Sequence, residues 1–150
     1  DQTDPTPHQR KVRERQSGKT FETINPATET VITQVADAGQ SDVDQAVAAA
    51  RKAFDHGPWR KMCGYTRSKL MHKFADLVEA NLEELSVLEV LDNGMPLSFA
   101  QHGEFQLFIK TIRYYAGHAD KIHGQTLNLS SPHFAYTRQE PVGVCAQIIP

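Results

Sequence analysis

The 150 residues carry 16 Lys plus Arg against 18 Asp plus Glu, a formal charge of −2, with 39% hydrophobic residues and a mean hydropathy of −0.48. That is the balance of an ordinary soluble globular chain of one-domain size, and it excludes a strong field toward nucleic acid or a membrane surface. No run approaches the roughly 18 apolar residues of a membrane span, and no apolar stretch after a basic start reads as a secretory signal.

The chain opens at Asp1 without a Met, which reads as a processed or cropped piece. Residues 1–20 hold one large aliphatic side chain, Val12, too little to order themselves, and are expected to form a flexible polar arm. Its basic cluster, Arg10, Lys11, Arg13 and Arg15, has no interleaved aromatic to stack on bases, so a solvated tail is favoured over nucleic-acid contact. From Phe21 a hairpin is expected: Asn25-Pro26 makes the turn, and Thr30 to Val35 is rich in β-branched residues.

Ser41 reads as the N-cap of a helix, with Asp44 at the third helical position. Val43, Ala46, Val47, Ala50 and Phe54 form one apolar stripe, and Gly57-Pro58 stops the helix. A second helix from near Thr66 puts Leu70, Phe74, Leu77 and Val78 on one side. After Asn81 it continues through Leu82, Leu85, Leu88 and Leu91 to Asn93-Gly94. A third, from about Leu97 to about Ile122, turns Phe105, Phe108, Ile109, Ile112 and Tyr115 inward. After Gly124 the pattern becomes strand-like. Val142 to Ile149, apolar except for Gln147, reads as a strand buried on both faces.

Chemistry-bearing residues are sparse. The seven histidines are scattered, and no pair has the spacing of a helical zinc site. Cys145 is expected to be an inert core thiol within the strand, and Cys63 a loop thiol near Arg60 and Lys61 without a positioned base. Two distant cysteines fit a reducing compartment. Glu79, Glu83 and Glu84 read as solvated helix charges, and there is no glycine-rich phosphate loop or nucleophile elbow.

Five phrases in order carry a specific resemblance: SGKTFETINPAT, SDVDQAVAAARKAFDHGPWRKM, LEELSVLEVLDNG, IRYYAGHADKIHG and FAYTRQEPVGVCAQIIP. Together, over Ser17 to Pro150, they resemble the N-terminal part of the NAD(P)-dependent aldehyde dehydrogenases, most closely the tetrameric, broad-substrate cytosolic and mitochondrial class.

The resemblance implies an α/β fold: a helical N-terminal layer with β-hairpins and the first strand of a variant Rossmann domain, incomplete within this chain. It divides the chain into the arm (1–20), the N-terminal part of the cofactor-binding domain (21–125), an oligomerisation β-arm (126–140) and the first Rossmann strand (141–150). Ile148, Ile149 and Pro150 match positions lining the NAD site, and Thr23, Ile24 and Asp92 match positions whose oxygens hold a monovalent structural cation.

The family's mechanism uses a Cys thiolate that attacks the aldehyde, an oxyanion held by an Asn amide and the Cys backbone N–H, hydride transfer to NAD, and a Glu that activates water. None of these three side chains matches a position here, so no catalytic residue is expected in this chain and residues 1–150 alone should be inactive. The implied cofactor is NAD, with NADP as the alternative, and the implied partners are an aldehyde and further copies of the chain, docked through 127–140 as a homotetramer. Neither nucleic acid nor membrane is implied. The compartment is the cytoplasm or, alternatively, the mitochondrial matrix.

A different class of reading is a stand-alone helical and β-arm interaction module that binds full-length subunits. Against the family pattern, Glu29 stands where glycine is usual, Met95 where lysine is, His118 where tryptophan is and Ala146 where glycine is.

Overall fold

The computed structural model describes residues 18–130 and 132–149. The basic cluster of the arm, within 1–17, and Pro150 lie outside the described residues.

The hairpin forms as its turn chemistry requires. Strand β1 (Thr20–Ile24) pairs antiparallel with β2 (Val31–Ala36), with an irregularity at Thr23/Ile24 that shifts the register so that Ile24 faces Val31. The Asn25 side chain accepts the Ala27 N–H at 2.9 Å, and the Glu29 N–H donates to the Asn25 carbonyl at 2.8 Å, which closes the loop over Pro26. Glu29 itself has φ 59°, the left-handed region that its side chain disfavours.

Helix α1 (Gln40–His56) begins two residues earlier than its sequence suggests. Gly39, not Ser41, is the N-cap, and Asp42, not Asp44, occupies the third position, where its carboxylate accepts the Gly39 N–H at 2.9 Å. That bond satisfies a donor the helix cannot, so it outweighs the preference for Ser at the cap. Gly57 ends α1, and Pro58 opens the short α2 (Pro58–Lys61) at a position where its missing N–H costs nothing.

Helix α3 (Gly64–Ala80) meets α4 (Leu82–Asn93) at Asn81, whose amide donates to the Leu77 carbonyl at 2.7 Å. Gly94, at φ 79°, ends α4 in the left-handed cap. A Cβ on Gly94 would lie 2.8 Å from Pro26 Cγ, so the hairpin turn and the end of α4 touch. The third predicted helix is broken and shorter: α5 (Leu97–Phe99), a π-helical turn over Ala100–Glu104 and α6 (Phe105–His118). Beyond it, β3 (Thr126–Leu127) pairs with β4 (Ala135–Tyr136) in a two-residue ribbon. Among the described residues no helix is long and apolar enough to cross a membrane.

The core is where α3 and α6 cross. Ala75, Val78 and Ile109 form the buried cluster, with Leu85, Phe105 and Ile112 packed against it, and Ile109 is only 1% exposed. Ala100, Ala116 and Ser86 are also fully buried, the last donating its hydroxyl to the Leu82 carbonyl at 2.6 Å. Phe74 and Phe108 meet edge to face at 6.0 Å. Arg113 on α6 donates to Asp76 at 2.9 Å and to Glu79 at 2.5 Å on α3, so Glu79 is a cross-helix ion-pair partner rather than a simply solvated charge.

Several expected core positions are exposed instead: Val43 and Val47 on α1, Leu70, Phe74 and Leu77 on α3, Leu88 and Leu91 on α4, and Phe108 and Tyr115 on α6. The residues that approach most closely are small, and the large ones line the edges of each crossing. The segment read as a doubly buried strand, Val142 to Ile149, makes no ladder with any described residue, and Val142 is 96% exposed. A strand exists only with a partner for its N–H and C=O groups, and none lies beside it here.

Relieving the backbone at Glu29 tests the turn. Glu29→Gly removes a left-handed penalty of about 1–2 kcal/mol, partly offset by the looser unfolded chain. The expected net gain is about 0.5–1 kcal/mol, read as a thermal midpoint a few degrees higher.

Candidate functional site

Two regions answer to the residues singled out from sequence. The first is a groove of about 390 Å³ between the β1–β2 hairpin and α4. Thr23 and Asp92 both line it, together with Thr33 and Glu89, and its described lining contains no basic residue. The structure thus unites two of the three proposed cation ligands. Ile24, beside Thr23 at the register shift, is not part of the lining. Glu89 was missed, because one carboxylate on a helix has no signal until the hairpin is laid across it. Its Oε1 accepts the Asn93 amide at 2.8 Å. Two carboxylates and two threonine hydroxyls are hard oxygen donors of the kind a monovalent or divalent main-group cation prefers. No cluster of three His, Cys, Asp or Glu occurs among the described residues, so further oxygens would have to come from backbone carbonyls or water.

The second region is the extended segment leading to Ile149. Ile148 is 101% exposed and Ile149 69%. Two adjacent bare isoleucines present an apolar edge of the kind that backs a planar ring in a cofactor site. Pro150 falls outside the described residues. The expected first Rossmann strand is present as direction and composition, without its ladder.

The thiols differ from expectation as well. Cys145 is exposed rather than a core residue, and its Sγ reaches only the Gly143 carbonyl, at 3.9 Å. Cys63 is the N-cap of α3. The Thr66 side chain, with Oγ1 3.1 Å from Sγ, holds the thiol below its ordinary range, and the Thr66 backbone N–H at the helix start acts in the same direction. Neither thiol has an imidazole or carboxylate placed as a base among its contacts. Sequence reasoning missed Thr66 because its role depends on the turn geometry of the cap.

Comparison with known proteins finds relatives along most of this chain. A model of the aldehyde dehydrogenase family matches residues 12–150. Aldehyde dehydrogenase 1 of Tanacetum cinerariifolium is 53% identical over 134 residues, covering 89% of this chain and 27% of the relative. The mitochondrial aldehyde dehydrogenase of Homo sapiens is 50% identical over 135 residues, covering 89% of this chain and 26% of the relative. Among solved structures, the NAD+ complex of aldehyde dehydrogenase from Bacillus cereus aligns with a TM-score of 0.80 at 49% identity, over 84% of this chain and 26% of that one. The chain therefore spans about a quarter of the length of the curated relatives it matches.

The Cys63 geometry sets a measurable reactivity. Thr66→Val removes the hydroxyl that favours the thiolate, so the midpoint of the pH profile for Cys63 alkylation should move upward and the rate near neutral pH should fall. Mass spectrometry of the Cys63 peptide after timed iodoacetamide exposure measures both, with the Cys145 peptide as the internal control.

Proposed function

We propose, since this chain belongs to the aldehyde dehydrogenase family, that the protein it builds oxidises aldehydes to carboxylic acids with NAD, NADP being the alternative dinucleotide. The observation that carries this reading is the family match over residues 12–150, in a chain whose fold aligns with a relative described as an NAD+ complex. Within that reading Ile148, Ile149 and Pro150 form the apolar wall of the dinucleotide site, excluding water from one face of the bound ring. When bound, the dinucleotide accepts the hydride released in the oxidation. Thr23, Ile24 and Asp92 hold a structural monovalent cation, and the shared groove of Thr23 and Asp92 supports two of those ligands.

The finer subclass we propose is the tetrameric, broad-substrate one, in the cytoplasm or alternatively the mitochondrial matrix. Identity near 50% to plant and mammalian members supports the family more strongly than the subclass. The four domain divisions stand as part of the same proposal, with 126–140 as the oligomerisation arm of a homotetramer.

A second reading concerns what these 150 residues do by themselves, and the surface favours it. Leu107, Phe134 and Tyr136 are each more than 60% exposed, and the rings of Phe134 and Tyr136 lie tilted to one another with centroids 6.0 Å apart at the short β3–β4 ribbon. An exposed aromatic strand edge is suited to pairing with another chain. In this reading the 150-residue chain is a binding element that docks on full-length subunits through 127–140, and catalysis belongs to the larger assembly.

Two measurements separate these levels. Residues 1–150 with NAD and an aldehyde should form no NADH above the buffer rate, whereas the native protein from its source should; silence from the latter overturns the catalytic reading. For the cation, sodium or potassium should raise the thermal midpoint above that in tetramethylammonium at equal ionic strength, and Asp92→Asn should erase the difference.

A further inference from the structure

We propose that the cleft between the end of α1, α2, the start of α3 and the segment 138–145 binds a small phosphate ester with an apolar or aromatic body. Its wall at 141–145 belongs to the segment proposed above as the first Rossmann strand, so the proposal concerns this chain with that segment unpaired, and Ile148 and Ile149 take no part in it.

The cleft encloses about 870 Å³ and brings together Arg60, Arg67 and Arg138 against a single carboxylate, Glu140. Arg67 is the telling member. Its Nε is shut off from solvent and has no hydrogen-bond partner. A donor left in that state is costly, and since a water-sized group cannot reach this nitrogen, Arg67 serves the cleft by the charge it puts into the wall. Arg138 approaches Glu140 only to 3.7 Å, with both side chains largely in water, so that pair neutralises little. Arg60 lies 5.7 Å from the centre of the Phe54 ring, and Arg51 lies 4.7 Å from the same centre. Arg51 is already paired with Asp55 at 2.7 Å, a carboxylate that also feels the charge of Arg60, and Arg60 itself lines the cleft. The result is a concave patch with a surplus of planar guanidinium donors, the geometry that suits a tetrahedral oxyanion.

The remaining walls set the class of ligand. Phe54, Trp59, Ile122 and Val144 line the same space, and the volume far exceeds that of a bare phosphate ion. An ester whose organic part lies against Trp59 while its phosphate meets the arginines would use both surfaces. The guanidiniums come from separated stretches of chain, residues 60 to 67 and residue 138. Only the fold creates the site, and no motif in the sequence marks it. A nucleic-acid duplex is poorly matched to a concave cleft on a chain whose net charge is −2.

Trp59 is the only tryptophan, so its emission reports the site directly. Phenyl phosphate titrated into the 150-residue chain at fixed ionic strength should change Trp59 fluorescence saturably. Inorganic phosphate should do so more weakly, and benzyl alcohol should not reproduce it. Arg138→Gln, in an exposed extended segment, should weaken phenyl phosphate binding by roughly fivefold, and Arg67→Gln by more, with helical circular dichroism retained. If Arg67→Gln loses its helix signal, Arg138→Gln and Arg60→Gln decide the matter. A response no larger than that to sodium chloride at equal ionic strength overturns the proposal. So does unchanged affinity in both Arg138→Gln and Arg60→Gln.

Discussion

The described fold depends on one crossing, that of α3 over α6. Ile109 is its apolar centre, held between Ala75 and Val78, and fully burying such a side chain is worth about 1.5–3 kcal/mol. Small residues let the two helices come close. Gly64, at the start of α3, has no room for a side chain: a Cβ there would lie 2.5 Å from the Ala119 carbonyl and 2.6 Å from Asp120 Cα. The crossing is also fixed electrostatically. One nitrogen of Arg113 serves both Asp76 and Glu79, and these partners sit one turn apart on the same face of α3. The pairs are more than one-third exposed, so they set the rotation of α6 rather than add much stability.

From this crossing the other parts take their positions. The π-helical turn widens the backbone between α5 and α6, which lets Ala100 sink fully into the packing while Phe105 stays against the Ile109 cluster. Helix α4 lies against that turn, with Ser86 buried and its hydroxyl satisfied within its own helix. The far end of α4 then carries Asp92 and Gly94 to the hairpin, where Pro26 touches Gly94 and Thr23 shares a groove with Asp92. The candidate cation groove is thus a consequence of helix packing some distance away.

How far the sequence disclosed this depended on the range of the interaction involved. Helix ends were legible where a single residue decides them, as at Gly57-Pro58, Asn81 and Asn93-Gly94, and so was the hairpin turn at Asn25-Pro26. The family phrases disclosed more than periodicity did, including the unusual residue at Glu29, whose backbone is indeed left-handed. Periodicity placed Val78, Leu85, Phe105, Ile109 and Ile112 at the core, and what it missed was how narrow the covered strip of each helix is. On α3 the expected Val78 is buried, but Leu70, Phe74 and Leu77 are exposed and the unforeseen Ala75 takes the closest position, because close helix approach selects small residues. The α1 cap was misplaced by two residues, since Gly39 and Asp42 together make a bond that ranking single residues cannot foresee. The arginine cleft was invisible because its members converge only after folding.

The two halves of the candidate dehydrogenase site also differ in kind. Helices satisfy their own backbone, and a hairpin brings its partner strand with it, so the groove that Thr23 and Asp92 share is formed by local packing within the described residues. A parallel-sheet strand is different, because its pattern of apolar residues is a statement about neighbours that must come from elsewhere in the fold. Val142 to Ile149 carries that pattern without the neighbours, and its isoleucines stand in solvent. The candidate cation groove is therefore preorganised by local packing, whereas the proposed apolar wall at Ile148 and Ile149 would gain its shape only when other strands pair beside it. Any dinucleotide affinity of this chain alone should accordingly be limited by the ordering of that segment rather than by the chemistry of its side chains.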